Sequence, residues 1–473
     1  MRRLLVIALP VALLWAALPA SGQAVPAFGP CERATELAPG APVNVELANV
    51  SDTSFIVTWL TCSGGKPAEA DSTVTYSPLE GGDAKVVTGA SNAFHYVRVK
   101  GLKPGTRYRY TVTSDGISGA PSTFNPGAFT TLTPPGGKEL FRFAVMADIH
   151  LGETVSGLAT SSPQELPPGY RSDKPYPAAM AEAAVAGVNS EDVGLTLLPA
   201  DNSSHGELHD LEDAHEILGG LDAGYMIARG AHDRPNQYKE AGAECGADGD
   251  CFRKVFRPDV TAQADPQHLY EAVGLKKWVF INLDSADLST GTGQLSADQL
   301  EWLKGRLDKA KKQKRPAVIF FHHPVAEYSS TFAFPPAVFG VNQADAQSFL
   351  SLIGDYDVRL VINSHTHRNW IAYSPHTGRM PIVEVAGTKE YPGGYSLFRV
   401  FEGGFIREWI PIDCPFCNAW RETTRGEYFS LYPLYTFGSL RERSFVHRFD
   451  GPDVPGIPSL PFGLWPPLVP GEA

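Results

Sequence analysis

Cysteine and methionine are scarce in this chain of 473 residues, at six and five copies, and a basic excess is missing altogether. Lys and Arg number 40 against 52 Asp and Glu, which leaves a net charge of −12. A nucleic-acid backbone is held by clustered cations, so no nucleic-acid-binding patch is expected. Long apolar runs are also absent after the first 24 residues, and no membrane span is expected once those are removed. There is no internal repeat. With 43% hydrophobic and 19% charged residues, the chain has the composition of an ordinary globular protein. Its length holds two or three domains and a large core.

The first 24 residues have the pattern of a targeting segment. Arg2 and Arg3 open it, Leu4 to Leu18 is an apolar run interrupted by Pro10, and small residues surround Gly22-Gln23-Ala24. This predicts a signal peptide cleaved near Ala24; the alternative, a membrane anchor, needs a longer run. No Cys stands near that point to carry a lipid. A secreted or periplasmic location is therefore expected, and six cysteines suit an oxidising compartment. Their spacing suggests pairing of Cys245 with Cys251 and of Cys414 with Cys417, leaving Cys31 and Cys62. The segment Cys414-Pro-Phe-Cys417 is also compatible with a redox site or half of a zinc site. A structural disulfide is preferred, because no second Cys-x-x-Cys is present and no thioredoxin-like βαβ pattern surrounds it.

Residues 40–133 alternate polar with β-branched or aromatic residues, as in Ser54-Phe-Ile-Val-Thr-Trp59, between Gly/Pro/Asp-rich turns. The stretch Leu102-Lys-Pro104-Gly-Thr106-Arg-Tyr108 resembles the tyrosine corner of fibronectin type III sandwiches, so the expected fold is a β-sandwich with Trp59 in its core. After the linker Thr133-Pro-Pro-Gly-Gly137, short apolar runs alternate with helical stretches over 138–413. Strands are expected at 141–147, 193–200, 225–230, 278–284, 317–321 and 359–363, and helices at 177–188, 297–311 and 344–353. This is the pattern of a layered α/β domain. Closely spaced strands at 381–385, 395–401 and 405–410 predict an antiparallel end. The Pro- and aromatic-rich extension 414–473 is expected to wrap over the surface.

Ligands of open α/β sheets bind beyond the carboxyl ends of strands. Five expected strands run into Asp148-Ile-His150, Ala200-Asp201-Asn202, Gly230-Ala231-His232-Asp233, His322-His323-Pro324 and Ser364-His365-Thr366-His367. Any one of these is weak, since a lone His is more often a hydrogen-bonded structural residue. The ordered set resembles the calcineurin-like metallophosphoesterase family, with motifs Asp-x-His, Gly-Asp, Gly-Asn-His-Asp/Glu, His and Gly-His-x-His, over roughly 140–411. Asp284-Ser285 and Gln299-Leu-Glu-Trp-Leu303 look like the middle region of that family. The fibronectin-like domain in front resembles the architecture of purple acid phosphatases.

The resemblance implies two packed mixed β-sheets flanked by helices, and two divalent ions drawn from Mn, Fe, Zn or Co. Asp148, His150 and His367 would hold the first ion, Asp201 would bridge, and His322 and His365 would hold the second. His322 is preferred over His323 because the ligand stands two residues before Pro in His-x-Pro. A metal-bound hydroxide would attack the phosphorus of a small-molecule mono- or diester. His232 would protonate the leaving group, with Asp233 orienting it.

Three positions depart from the pattern. Ala200 and Ser364 replace Gly, small for small. Ala231 replaces the metal-binding Asn, which weakens the second ion; Asn202 or His205 are the neighbours able to compensate. Ser204 stands where purple acid phosphatases carry a Tyr ligand, and His150 where they carry Gly, so no purple Fe(III) centre is expected. The second reading is a weakened phosphoesterase fold acting as an extracellular binding or adhesion module. A third is a redox protein centred on Cys414 and Cys417.

Overall fold

The computed structural model describes residues 31, 38–157, 160–161, 166–235, 243–245, 249–256, 269–325, 340–374, 380–427 and 431–450. The expected leader, 1–24, and residues 451–473 lie outside them, as does most of the loop 234–268. No helix among the described residues is long and apolar enough to cross a membrane.

The N-terminal strands are β1 (Pro42–Val50), β2 (Ser54–Ser63), β3 (Lys66–Pro67), β4 (Ala70–Pro78), β5 (Lys85–Asn92), β6 (Phe94–Lys100), β7 (Arg107–Ser114), β8 (Ile117–Ser118) and β9 (Ala128–Thr130). They make two antiparallel sheets, one of β1, β2, β3 and β6 and the other of β4, β5, β7, β8 and β9. Alternation along β7 puts Tyr108, Tyr110 and Val112 inside and Arg107, Arg109 and Thr111 outside. Tyr108 accepts a hydrogen bond from the Lys103 amide through its hydroxyl, 3.0 Å away, as the tyrosine-corner pattern implied. Trp59 is buried and donates to Ser114 Oγ.

Two six-stranded mixed sheets follow. The first runs β14 (Tyr225–Ile227), β13 (Thr196–Leu198), β10 (Glu139–Val145), β21 (Gly394–Phe401), β22 (Gly404–Pro411), β23 (Ser444–Arg448). The second runs β15 (Glu271–Leu275), β16 (Trp278–Asn282), β17 (Ala317–Phe320), β18 (Val358–Asn363), β20 (Pro381–Glu384), β19 (Trp370–Tyr373). A small hairpin joins β11 (Val155–Ser156) and β12 (Thr160–Ser161). The two sheets face each other across Phe143, Phe280, Val383, Phe398 and Trp409, with Phe143 meeting Phe280 edge-on at 5.2 Å between them. Residues on both faces of β17 are buried, because helices cover its other side. Burial of one large apolar side chain there contributes about 1.5–3 kcal/mol.

The covering helices are α1 (Tyr176–Asn189), α2 (Leu208–Leu218), α3 (Cys251–Phe256), α4 (Ala297–Lys312) and α5 (Gln343–Gly354). Helix α4 starts where Ser296 Oγ accepts the Gln299 amide, and it buries Gln299, Leu303, Leu307 and Ala310 along one stripe. Helix α5 starts in the same way at Asn342.

The structure departs from the expected C-terminal arrangement in two places. Strand β20 lies parallel to β18 and antiparallel to β19, while β21, β22 and β23 pair antiparallel in the other sheet. The extension does not merely wrap the surface. It forms α6 (Pro415–Thr424), α7 (Tyr432–Thr436) and α8 (Leu440–Arg443), then adds β23 to the edge of the first sheet. Trp420 on α6 is fully buried, its indole N–H donating to the Lys389 carbonyl. Arg443 donates to the carbonyls of Leu47 and Ala48, and Tyr391 donates to Glu46, so the sandwich is fastened to the α/β layers through buried polar contacts.

All six cysteines form disulfides, Cys31–Cys62, Cys245–Cys251 and Cys414–Cys417. The Cys-x-x-Cys segment caps α6, with Cys414 Sγ accepting the Cys417 amide. With both sulfurs joined, neither is a free thiolate to ligate zinc.

Candidate metal centre

The motifs assemble from both sheets rather than along one edge. Asp148 and His150 follow β10, Asp201 follows β13, and His232 follows β14, all in the first sheet. His322 follows β17, and His365 and His367 follow β18, in the second. Six non-glycine residues here have left-handed backbones: Asp148, His150, Ala200, Asp201, His365 and His367, with φ between 45° and 104°. Such conformations are disfavoured for side chains with a Cβ and persist where surrounding structure holds them.

At this centre four trios of ligand atoms lie mutually within 4.8 Å: Asp148/His150/His367, His150/Asp201/His232, Asp148/Asp201/His322 and His322/His323/His365. Asp201 stands in the middle. Its Oδ2 is 3.6 Å from His150 Nε2 and 3.1 Å from His322 Nε2, so one oxygen faces both halves. Its Oδ1 accepts the His232 amide at 2.9 Å. A Cβ on Gly230 would fall 2.1 Å from that Oδ1, so glycine is needed for the loop to pass so close.

The donor set fits a cation. Asp148 Oδ2 and both ring nitrogens of His150 are buried without a hydrogen-bond partner, which is costly unless something charged completes them. The Ser364 hydroxyl donates to the Pro199 carbonyl, so its oxygen accepts from His322 Nδ1, 3.0 Å away. That leaves His322 Nε2 facing the Asp201 carboxylate and, at 2.9 Å, His365 Nδ1. Converging acceptors require a proton or a metal ion between them.

Burial and neighbouring charge set the protonation states. Burial lifts the Asp148 carboxyl to about 6, against the pull of His367 and His322. For Asp201 burial is outweighed by His322 and His232, and its carboxyl sits well below the usual range. Burial alone would lower His367, but Asp148 and Glu390 push it up to about 9. Burial and Lys389 hold His150 neutral.

His323 lies beside the second half yet is occupied. Its Nδ1 is 3.0 Å from Ser285 Oγ and its Nε2 is 3.1 Å from the Gly291 carbonyl. Both nitrogens are therefore used within the protein, which favours His322 as the inward-facing residue.

Asp233 does not orient the His232 ring, contrary to expectation. Its carboxylate accepts from the amides of Asn202, Ser203 and Gly230 and from the side chains of Asn202 and Ser203, which ties the β13 and β14 loops together. The His232 ring is instead held by the Ser204 carbonyl, 2.9 Å from Nδ1. A carbonyl only accepts, so Nδ1 carries a proton. Ala231 is buried and offers a methyl group where the motif has Asn. The Asn202 amide nitrogen is committed to Asp233 and the Ala228 carbonyl.

Motif reading missed the residues behind the histidines. Glu390 accepts from His367 Nδ1 at 2.8 Å, Glu153 approaches His150 Nδ1 at 3.5 Å, and Lys389 pairs with both glutamates. Glu153 stands three residues after His150, the only spacing that hinted at it; Lys389 and Glu390 carry no motif.

Residues 42–131 match the family description "Purple acid Phosphatase, N-terminal domain", and residues 141–369 match "Calcineurin-like phosphoesterase". A probable cyclic nucleotide phosphodiesterase of Synechococcus is 26% identical over 198 residues, covering 40% of this chain; the chain spans 64% of that relative's length. Solved structures similar to it include a dimetal phosphatase from Danio rerio, at TM-score 0.45 and 14% identity, covering 57% of this chain and 96% of that one. A purple acid phosphatase from yellow lupin (Lupinus luteus) gives a TM-score of 0.39 at 15% identity, covering 79% of this chain and 73% of that one.

Proposed function

From the premise that this chain carries a calcineurin-like phosphoesterase domain behind a purple acid phosphatase N-terminal domain, we propose that it is an exported, metal-dependent hydrolase of phosphate mono- or diesters. The observation that carries this reading is the Asp201 carboxylate oxygen facing His150 on one side and His322 on the other. Asp148, His150 and His367 are the proposed ligands of a first divalent ion, His322 and His365 those of a second, with Asp201 shared. Two such ions, when bound, supply an activated water and neutralise charge on the phosphoryl oxygens.

The chain's own groups do the rest. Asp201 Oδ1 is anchored by the His232 amide, which keeps Oδ2 turned to both halves. His232 lies against the His150 ring at 4.7 Å and, as the doubly protonated imidazolium, gives its Nε2 proton to the leaving oxygen while Ser204 holds Nδ1–H. Asp233 keeps the two loops in register and acts through position, not proton transfer. Export is supported by the leader-like residues 1–24 and by three disulfides, and N-terminal sequencing of the mature protein tests it.

The test is release of nitrophenol from nitrophenyl phosphate and bis(nitrophenyl) phosphate by the full chain, beside Asp201→Ala. Activity should require added divalent metal and fall on the order of 10³-fold in the variant, the scale of losing a principal transition-state contact. Full activity in Asp201→Ala would sink the mechanism. Ala231 favours a second reading, a binding module with a degraded centre. Metal content separates them: about two ions per chain after reconstitution supports the hydrolase, and none supports the binder.

A further inference from the structure

We propose that Glu153 and Glu390, joined by Lys389, are positioning residues that orient the two first-half histidines, so that this half takes up its ion before the other. The proposal rests on the metal-dependent reading above.

The group that meets the second nitrogen of a ligating imidazole orients the ring and tunes its basicity. His367 Nδ1 meets Glu390 Oε1 at 2.8 Å, which turns Nε2 toward Asp148 Oδ1 at 3.6 Å. Glu390 itself is held on every side. Its Oε1 also accepts from the Tyr432 hydroxyl, and its Oε2 accepts from Ser156 Oγ at 2.7 Å and from Lys389 Nζ at 2.9 Å. Lys389 donates with the same ammonium to Glu153 Oε1, which Tyr176 also holds. The other oxygen of Glu153 stands 3.5 Å from His150 Nδ1, within electrostatic reach of that nitrogen although it makes no hydrogen bond to it. One buried ammonium thus links the carboxylates behind both histidines.

Fastening a plain salt bridge into the core would not require each carboxylate to face a candidate ligand. Here both do, and the cluster is drawn from four distant segments, residues 153–156, 176, 389–390 and 432. The last two lie outside the matched phosphoesterase region. In the second half, His322 is backed by the neutral hydroxyl of Ser364. A charged acceptor makes the stronger hydrogen bond and holds the ring more firmly, so preorganisation is greater in the first half.

The experiment is a Co(II) titration of the metal-free full chain, read by calorimetry and by the visible absorption of the bound ion, for the parent and Glu390→Gln. The parent should bind two ions in separate phases. In Glu390→Gln the tight phase should weaken by about 10–100-fold, the usual cost of losing a metal-histidine partner. The absorption band of the first equivalent should shift, while the weak phase stays as it is. Tyr432→Phe, which removes one bond from Glu390 and leaves His367 untouched, should weaken the same phase by less; it carries the test if Glu390→Gln does not fold. A tight phase and band unchanged in the folded variants would overturn the clamp while leaving the metal reading intact. A parent chain that binds no ion would overturn both.

Discussion

The two halves of the centre share Asp201 but are built to different standards. In the first, Asp148, His150 and His367 converge with buried atoms lacking partners, and a charged cluster stands behind both rings. In the second, His322 Nε2 meets both Asp201 and His365, a serine hydroxyl backs His322, and Ala231 offers only a methyl group. Residue count alone does not make the difference. Support behind the ligands decides how little reorganisation an incoming ion must cause.

Three substitutions break or sharpen this contrast. Gly230→Ala should have the largest effect, because the new Cβ would collide with Asp201. Moving the shared carboxylate should weaken both ions together and lower kcat/KM by about 10²-fold, the scale of a 1 Å misplacement. Unequal weakening in the titration would show that the halves do not share Asp201. Ala231→Asn should act on the second half alone. Its ion should bind about tenfold more tightly, or about 1.4 kcal/mol, with activity rising at limiting metal and the first phase unmoved.

The smallest effect should spare both halves. Burial lifts the Glu408 carboxyl to about 7, against Arg399 and with Asp52 adding to the rise, where β22 meets the sandwich. Glu422 is lifted to about 7 as well, first by burial. A folded-state value above the unfolded one means that the folded chain holds the extra proton. This stabilisation is complete below the unfolded value and is lost as pH rises through about 7. The melting temperature should therefore fall between pH 5 and 8. Glu408→Gln should flatten that fall by about 1–3 kcal/mol of stability and leave both metal phases unchanged. A pH profile identical to the parent's would remove Glu408 from this role.

The motif residues were legible because each sits at the end of a short apolar strand, and strand ends are where an α/β sheet gathers ligands. His322 was chosen over His323 by position relative to Pro324; in the structure His323 is hydrogen-bonded at both ring nitrogens, while His322 Nε2 faces Asp201. Asp233 was misjudged because adjacency to His232 suggested contact, whereas the tight turn sends its carboxylate to the amides of the neighbouring loop. The extension after Cys417 was unreadable because β23 gains its meaning only from the free edge of β22.

By itself, the sequence determined the identity and order of the Asp and His residues at the strand ends, the sandwich before them and the Ala at position 231 where the motif carries Asn. Those are local properties, written in periodicity, spacing and side-chain chemistry. Only the tertiary structure decided that the candidate ligands come from two facing sheets and that Asp201 looks both ways. It also decided that Glu153, Lys389, Glu390 and Tyr432 meet behind the histidines. These are contacts between segments far apart along the chain, and one sequence carries no local signal for a partner that packing alone brings near.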